Sequence, residues 1–387
     1  MDMFDATADG EETIPPSALP SSRKSALHEA THSEIPPTIK IDGFTILNWR
    51  DFRQDLSNFA PNYHLAKDLP HELQDHINHM SEWTRSLPDM RIVFRAAIQE
   101  NTASDEPDAP PIQVENYIDD EPAPPWEFHY SNQMWHGEGV PPPDIKSLVS
   151  CDCIGRCDPR SKTCACVRRQ QEAFEDPNAD FAYDNKGRLK ELGYPIFECN
   201  DLCGCDDDCR NRVVQHGRTS AISIRKTANK GWGVFTDQKK IYKGTFIGIY
   251  AGEIITDEAG EERGFNYDKL GKTYLFDIDF HHLRKDHKDW ASKYTVDAYH
   301  AGNNHSCDPN CTLNPCYINE GNIDKPLLTV FARRDIEPGE ELCFSYSGDP
   351  DDDESMDASG DTGGQKNDAV YTKCYCGAKN CKGRLFD

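Results

Sequence analysis

The chain has 387 residues and a formal net charge of −25 at pH 7, from 42 Lys and Arg against 67 Asp and Glu. This charge argues against direct nucleic-acid readout, which needs a Lys/Arg surface for the phosphates, and it favours a basic partner. The sequence has no apolar run long enough to span a bilayer and no signal peptide at its start, so we expect a soluble intracellular protein with no membrane contact.

The first part of the chain carries few structural signals. Residues 1–40 are rich in Pro, Ser, Thr and acidic residues without a hydrophobic period, which predicts a disordered tail. Residues 41–99 are more apolar, with a helical pattern around residues 73–87, and residues 100–111 form an acidic, Pro-rich linker. Residues 1–111 are therefore a largely disordered or unassigned region.

The rest of the chain is predicted to be mostly β. Residues 112–119 alternate apolar and polar side chains, as a half-buried strand does, whereas the Pro-rich stretch up to Pro143 has too many breakers for regular structure. Short β-rich runs then follow between Gly and charged turns, at residues 221–224, 232–235, 245–250, 274–280, 294–298, 327–332 and 341–346. Their spacing predicts a compact domain of short strands with few helices.

Composition divides this part into four regions. Residues 112–217 contain a cysteine block, and residues 218–348 form the β domain. Residues 349–370 are acidic and Gly-rich and predict a flexible loop. Residues 371–387 are a short tail with three further cysteines.

The cysteine block has the spacing of metal ligands. Its members are Cys151, Cys153, Cys157, Cys164, Cys166, Cys199, Cys203, Cys205 and Cys209. A disulfide framework would need an even count and an oxidising compartment. Zinc takes four thiolates, so nine sulfurs fill either two sites with one spare or three sites with three bridging sulfurs. Since little hydrophobic material lies between these cysteines, bound metal must supply much of the folding energy.

The tail cysteines Cys374, Cys376 and Cys381 offer three ligands, and Cys307 is the candidate for a fourth. The remaining cysteines, Cys311, Cys316 and Cys343, are best explained as small buried hydrophobic residues. A histidine-rich run at residues 281–287 could suggest another metal site, but its neighbouring Lys and Asp residues favour a solvated loop.

Residues 303–311, Asn-Asn-His-Ser-Cys-Asp-Pro-Asn-Cys, are unusually polar for a packed core. An ordinary loop with an incidental thiol could explain them alone. Two neighbouring motifs argue against this: Gly-Trp-Gly-Val-Phe at residues 231–235 and Glu-Leu-Cys-Phe-Ser-Tyr at residues 341–346.

These motifs, in this order and between two cysteine clusters, resemble the SET domain of protein lysine methyltransferases. The cysteine block and the tail resemble the pre-SET and post-SET regions of the Su(var) class, in a fungal form without a chromodomain. The resemblance covers residues 112–387. It implies three zinc ions in the block and one bound by Cys307 and the tail, about four per chain. It also implies methylation of histone H3 lysine 9 from S-adenosylmethionine, in nuclear heterochromatin, with heterochromatin proteins as further partners.

The resemblance also implies roles for individual residues. The cofactor site would include Gly231, Trp232, Gly233, Tyr294, Asn304, His305 and the tail aromatic Phe386. Tyr346 would be the catalytic tyrosine and Tyr274 a second hydroxyl at the lysine channel. Phe344, a substrate-binding residue, leaves room for a methylated ammonium and so implies trimethylation. A simpler interpretation of both tyrosines is that they are ordinary strand aromatics.

The segment before Asn304 departs from the family pattern. In the family about ten residues, including an Arg–aromatic pair, separate Asp-Ala from Asn-His-Ser-Cys, whereas only residues 299–303 follow Asp297-Ala298 here. Losing about five residues removes up to about 16 Å of extended chain. A second hypothesis is therefore a catalytically impaired, zinc-bound scaffold that binds histone tails or recruits silencing proteins. On this hypothesis the chain binds zinc but methylates poorly or not at all.

Overall fold

The computed structural model describes residues 39–41, 44–47, 98, 102, 105–119, 130–269, 274–278, 292–298, 304–346 and 373–384. Within these ranges the elements include fifteen short strands, two α-helices and two short 3-10 helices, Ile145–Ser147 and Val214–His216, which confirms the prediction of a mostly-β fold. The strands are β1 (Ile39–Ile41), β2 (Phe44–Leu47), β3 (Gln113–Glu115), β4 (Trp135–His136), β5 (Ile196–Phe197), β6 (Ile222–Lys226), β7 (Trp232–Thr236), β8 (Phe246–Ile249), β9 (Glu253–Thr256), β10 (Leu275–Asp277), β11 (Tyr294–Asp297), β12 (Asn304–His305), β13 (Cys311–Tyr317), β14 (Leu327–Ala332) and β15 (Cys343–Phe344). The helices are α1 (Ala165–Ala173) and α2 (Asp257–Lys269). Neither helix is long and apolar enough to cross a membrane.

The strands of the domain form several small sheets instead of one large one. One sheet has the order β3-β6-β7, a second β10-β11-β9-β4 and a third β5-β13-β14-β8, while β12 and β15 form a parallel pair. The separate β1–β2 hairpin falls in the region that the sequence leaves unassigned. Strands such as β9 and β14 are buried at most of their positions, and the small sheets pack around one shared core. That core holds residues from most of these strands, among them Ile224, Ile254, Val296, Val330 and Phe344.

Strand β13 is the longest strand among the described residues, although the sequence pattern predicts no strand there. It pairs along its length with β14, but β5 reaches only Cys316 and Tyr317 on the other side. Proline is tolerated at such an edge because its missing N–H faces no partner strand. Pro315 therefore marks an edge position of β13 and does not break the strand.

One further expectation needs correction, and three others lie outside the described residues. The Pro-rich stretch before Pro143 does contain regular structure, because β4 pairs in parallel with Glu253 and Ile254 of β9. The helical pattern at residues 73–87, the histidine-rich run at 281–287 and the acidic loop at 349–370 lie outside the described residues.

Helix α2 is held by charged contacts. Arg263 Nη1 lies 2.6 Å from both Glu253 Oε2 and Asp297 Oδ2, and the Tyr267 hydroxyl donates to the same Asp297 oxygen at 2.9 Å. Gly260 allows close approach, since a Cβ there would lie 3.0 Å from Thr295 Oγ1. The helix thereby braces β9 and β11, which border the candidate site.

A buried ion pair ties the residues ahead of the cysteine block to the β domain. Arg218 Nε lies 3.8 Å from Glu106 Oε2, and neither side chain is exposed. The Arg218 backbone N–H donates to Glu106 Oε1 at 2.9 Å, and the Tyr130 hydroxyl donates to Glu106 Oε2. Burial, with the Glu106 charge next, raises the pKa of Tyr130. The region called unassigned thus supplies part of the domain's buried structure.

Candidate active site and metal centres

The parallel pair β12–β15 brings two of the predicted motifs together. Asn304 pairs with Cys343 and His305 with Phe344. The Ser306 backbone N–H extends this contact by donating to the Phe344 carbonyl at 3.0 Å. Residues almost forty positions apart in the sequence therefore meet at one end of the domain.

Tyr346 lies directly after this pair. Its backbone N–H donates to Nδ1 of His305 at 3.1 Å, and the two rings pack edge-on with centroids 5.1 Å apart. Burial, followed by the neighbouring Tyr274, raises the pKa of the Tyr346 hydroxyl. The hydroxyl therefore stays protonated at neutral pH and can orient a partner by hydrogen bonding.

Phe344 lies within an aromatic group. Its ring centroid is 5.2 Å from that of Tyr346 and 5.4 Å from that of Tyr250, which it meets edge-on at 76°. The Tyr250 ring also contacts Phe276 at 6.1 Å. Aromatic rings packed in this way form an apolar surface that can contact a hydrocarbon side chain and exclude water from it.

Tyr250 was not among the residues picked from the sequence. It is buried, and burial, followed by the nearby Tyr346, Asp297 and Tyr274, raises the pKa of its hydroxyl well above the usual value. The sequence feature that could have identified Tyr250 is its position directly after β8 and before Ala-Gly-Glu. The structure thus groups three tyrosines where the sequence analysis named two.

Tyr274 and Tyr294 lie on neighbouring segments of the β10–β11 sheet. The Tyr274 carbonyl accepts from the Ala298 backbone N–H at 3.0 Å, and the Tyr294 carbonyl accepts from that of Ile278 at 3.0 Å. Tyr294 packs against the main core together with Phe276. Both tyrosines are half-buried, so each ring faces partly outward.

The Gly-Trp-Gly motif begins β7. Gly231 has a φ of +71°, which disfavours other residues there, and its carbonyl accepts from the Thr227 backbone N–H at 2.7 Å. Lys230 forms an ion pair with Glu341, which fastens this turn to the segment leading into β15. Trp232 packs against the main core, and Gly233 pairs with Arg225 on β6. Of the predicted cofactor residues, Asn304 and His305 form β12, the turn at residues 231–233 lies beside the segment before β15, Tyr294 lies on β11, and Phe386 lies outside the described residues.

The nine cysteines of the block form one compact cluster. The sulfur atoms fall into overlapping groups of four, within 4.8 Å of one another. These groups are Cys151/Cys153/Cys157/Cys164, Cys151/Cys157/Cys199/Cys205 and Cys151/Cys166/Cys199/Cys203. Cys209 joins through Cys199, with 4.0 Å between the sulfurs. Since Cys151, Cys157 and Cys199 recur, the geometry fits bridging thiolates better than two separate sites.

The cluster is a good donor set for zinc. All sixteen cysteines, which lie within the described ranges, are free thiols without disulfides. Arg212 points its Nη2 at the Cys205 sulfur at 3.8 Å, which offsets part of the negative charge that thiolates carry. With every position filled by sulfur, such a site is structural and leaves no open coordination position.

The second group consists of Cys307, Cys374, Cys376 and Cys381, also within 4.8 Å of one another. The sulfur atoms of Cys307 and Cys374 are 3.9 Å apart. The Lys382 backbone N–H donates to the Cys307 sulfur at 3.4 Å, and the Asn380 amide donates to the Cys307 carbonyl at 3.1 Å. These thiols could hold one zinc ion, which would fasten the tail beside the candidate site.

Comparison with known proteins agrees with this geometry. The Pre-SET motif matches residues 104–212 and the SET domain matches residues 231–347. A Cryptococcus neoformans protein named histone-lysine N-methyltransferase, H3 lysine-9 specific, is 37% identical over 80% of this chain and 20% of its own length. The Neurospora SET domain protein DIM-5, a histone lysine methyltransferase, is 31% identical with a TM-score of 0.54, over 62% of this chain and 95% of that one.

A third similar protein has a solved structure that contains bound molecules. The structure of KRYPTONITE in complex with mCHH DNA, an H3(1-15) peptide and SAH is 26% identical with a TM-score of 0.55, over 71% of this chain and 51% of that one.

The chain belongs to the SET-domain family, and specifically to its Su(var) class with a pre-SET motif. It spans only 20% and 59% of the length of the first two curated relatives it matches.

Proposed function

We propose that this chain transfers methyl groups from S-adenosylmethionine to lysine 9 of histone H3, up to the trimethyl state. The observation that carries the proposal is the aromatic group of Tyr250, Phe344 and Tyr346 beside the β12–β15 pair. Relatives of the chain carry this activity in their names. The net charge of −25 suits a basic histone tail as substrate.

The aromatic group suits the demands of methyl transfer to an amine. Bound S-adenosylmethionine supplies an electrophilic methyl group next to a positive sulfonium. The lysine must first lose its proton, which costs about 4–5 kcal/mol at pH 7 from an ordinary pKa near 10.4. Apolar walls from Phe344 and Tyr250 disfavour the charged ammonium and exclude water. The Tyr346 hydroxyl can then orient the amine lone pair for in-line attack.

The proposed activity is tested with the purified chain, S-adenosylmethionine and a peptide of H3 residues 1–15. Mass spectrometry should find up to three methyl groups on lysine 9 and none on a peptide with arginine at that position. Equal transfer to both peptides would contradict the target lysine. Absence of transfer while calorimetry detects cofactor binding would contradict the activity itself.

The same proposal locates the protein at nuclear chromatin. A histone substrate is found there, and heterochromatin proteins are the further partners we propose. The acidic charge supports binding through the histone tail without direct nucleic-acid readout.

The short segment at residues 299–303 lies outside the described residues. Among the described ones, His305 still pairs with Phe344 and its ring still meets the Tyr346 N–H at 3.1 Å. We therefore favour the enzyme over the impaired scaffold. Inserting five residues with an Arg–aromatic pair between Asn303 and Asn304 should change kcat by less than about threefold. A gain of tenfold or more in the same peptide assay would support impairment.

Phe344 is expected to set the number of methyl groups. In Phe344→Tyr the added hydroxyl can hold a water molecule where a third methyl group must pass. Mono- and dimethyl lysine should then accumulate, with total turnover reduced by less than about tenfold. Mass spectrometry of the peptide over time measures this. Unchanged trimethylation would show that Phe344 does not face the lysine.

Cys381→Ser is expected to remove one zinc ion and leave the nine-cysteine cluster intact. With one thiolate lost, the tail can no longer fasten beside Cys307, so cofactor affinity should fall at least tenfold. Elemental analysis should report about three zinc ions instead of about four, and calorimetry the weaker binding. A zinc content equal to that of the unaltered chain would contradict this assignment.

A further inference from the structure

The imidazole of His305 contacts two structural units at once. Its Nδ1 accepts a hydrogen bond from the Tyr346 backbone N–H at 3.1 Å, and its Nε2 lies 3.3 Å from the Cys307 sulfur. The residue is buried, with 6% of its surface exposed. Both ring nitrogens are therefore engaged by groups of the chain itself.

This geometry fixes which nitrogen carries the proton. A backbone N–H can only donate, so Nδ1 must present its lone pair to Tyr346. In a neutral ring the proton then resides on Nε2, where it can be donated to the Cys307 sulfur. A thiolate that is a metal ligand retains lone pairs for such a hydrogen bond, and donors of this kind orient and stabilise ligands.

Cys307 is also the link to the tail. It shares its four-sulfur group with Cys374, Cys376 and Cys381, and the Lys382 N–H donates to the same sulfur at 3.4 Å. Two donors thus meet at Cys307, one from β12 and one from the tail. On the other side of the ring lies the segment that holds Phe344 and Tyr346.

We propose that His305 is a positioning residue that couples the four-sulfur site of Cys307 to the backbone of Tyr346. The proposal rests on the methyltransferase function proposed above. Through this ring, metal binding by the tail holds Tyr346 in place and thereby orders the aromatic group. Since the ring nitrogens are occupied, any contact of His305 with the cofactor is made by its backbone or the carbon edge of its ring.

Two substitutions separate the halves of this link. In His305→Asn the side-chain amide reaches about as far as Nδ1, so it can keep the Tyr346 contact but not the Cys307 contact. In His305→Gln the amide reaches about as far as Nε2, so it can keep the Cys307 contact but not the Tyr346 contact. His216→Gln is the matched control, because His216 is partly exposed and its ring bonds to the Asp207 carbonyl instead.

The first measurement is the release of zinc to a colorimetric chelator. His305→Asn should release one zinc ion at least tenfold faster than the unaltered chain, within the range known for loss of a partner to a metal ligand. His305→Gln and His216→Gln should release it within threefold of the unaltered rate. The zinc of the nine-cysteine cluster serves as an internal reference in each variant.

The second measurement is the hydrogen exchange of the Tyr346 amide, followed by mass spectrometry. With zinc bound, His305→Gln should speed this exchange at least tenfold and lower kcat at least tenfold. Removal of the Cys307 zinc by the chelator should speed the exchange at least tenfold in the unaltered chain but less than threefold in His305→Asn, where the contact with Cys307 is already lost. If zinc removal leaves the exchange of the unaltered chain unchanged, or changes it equally in the unaltered chain and in His305→Asn, the coupling is overturned. Neither zinc release nor amide exchange requires methyl transfer. These two measurements therefore test the coupling independently of the proposed function.

Discussion

Cys151→Ser is expected to release most of the zinc from the nine-cysteine cluster and to unfold the region around it. The Cys151 sulfur belongs to all three four-sulfur groups of the cluster and lies 3.5 Å from that of Cys157. A structural zinc site contributes about 10–16 kcal/mol in small zinc domains, which matches or exceeds the whole stability of a typical domain, about 5–15 kcal/mol. Elemental analysis should find two zinc ions or fewer, and thermal unfolding should lose its cooperative transition.

The control is Cys316→Ala, in which a buried cysteine outside both metal groups is replaced. Only a small cavity is created, so we expect about 1 kcal/mol of destabilisation and an unchanged zinc content. If Cys151→Ser keeps about four zinc ions and the melting temperature of the unaltered chain, the cluster does not depend on this sulfur and the bridging arrangement is wrong.

Tyr346→Phe is expected to lower kcat by about 10²–10⁴-fold. This is the usual contribution of a side chain that acts on a proton of the reacting group. The ring remains, so its contacts with His305 and Phe344 should persist. KM and the cofactor dissociation constant should therefore change by less than about fivefold. Steady-state kinetics with the H3 peptide and calorimetry with S-adenosylmethionine measure these quantities.

Tyr317→Phe is the matched control for this substitution. The Tyr317 hydroxyl is also buried and donates to the Ile323 carbonyl at 2.7 Å, but it belongs to β13 and lies outside the aromatic group. We expect a loss of about 1 kcal/mol in stability and no change in kcat. A similar fall in kcat for both variants would show that the effect of Tyr346→Phe arises from general loosening of the domain.

The metal ligands were the most predictable part of this molecule. Thiol ligands must lie close together in space, and cysteines spaced this closely usually bind metal where disulfides do not form. Counting showed that the three tail sulfurs need a fourth ligand, and Cys307 was the candidate for it. The structure groups these cysteines as expected, and it brings the rings of Phe344 and Tyr346 into contact, while their roles at the lysine channel stay predictions.

The contacts that connect distant parts of the chain were less predictable. Tyr250 joins the aromatic group because the chain after β8 meets β15 in space, and its position before Ala-Gly-Glu does not by itself reveal that contact. Helix α2 depends on Arg263 meeting carboxylates of β9 and β11, a tertiary contact that local propensity does not encode. His305 was assigned to the cofactor, but its two ring contacts appear only once β12 and the tail are folded together.

The buried Glu106–Arg218 pair determines where the chain can be shortened. A fragment that starts at Ile112 retains the cysteine block, the aromatic group and the tail, and yet it leaves the Arg218 guanidinium buried without its carboxylate. Removing one partner of a buried ion pair typically costs about 3–5 kcal/mol, a large share of a domain's stability. Recombinant fragments for crystallisation or screening should therefore begin upstream of Ile98, which is itself buried in the main core.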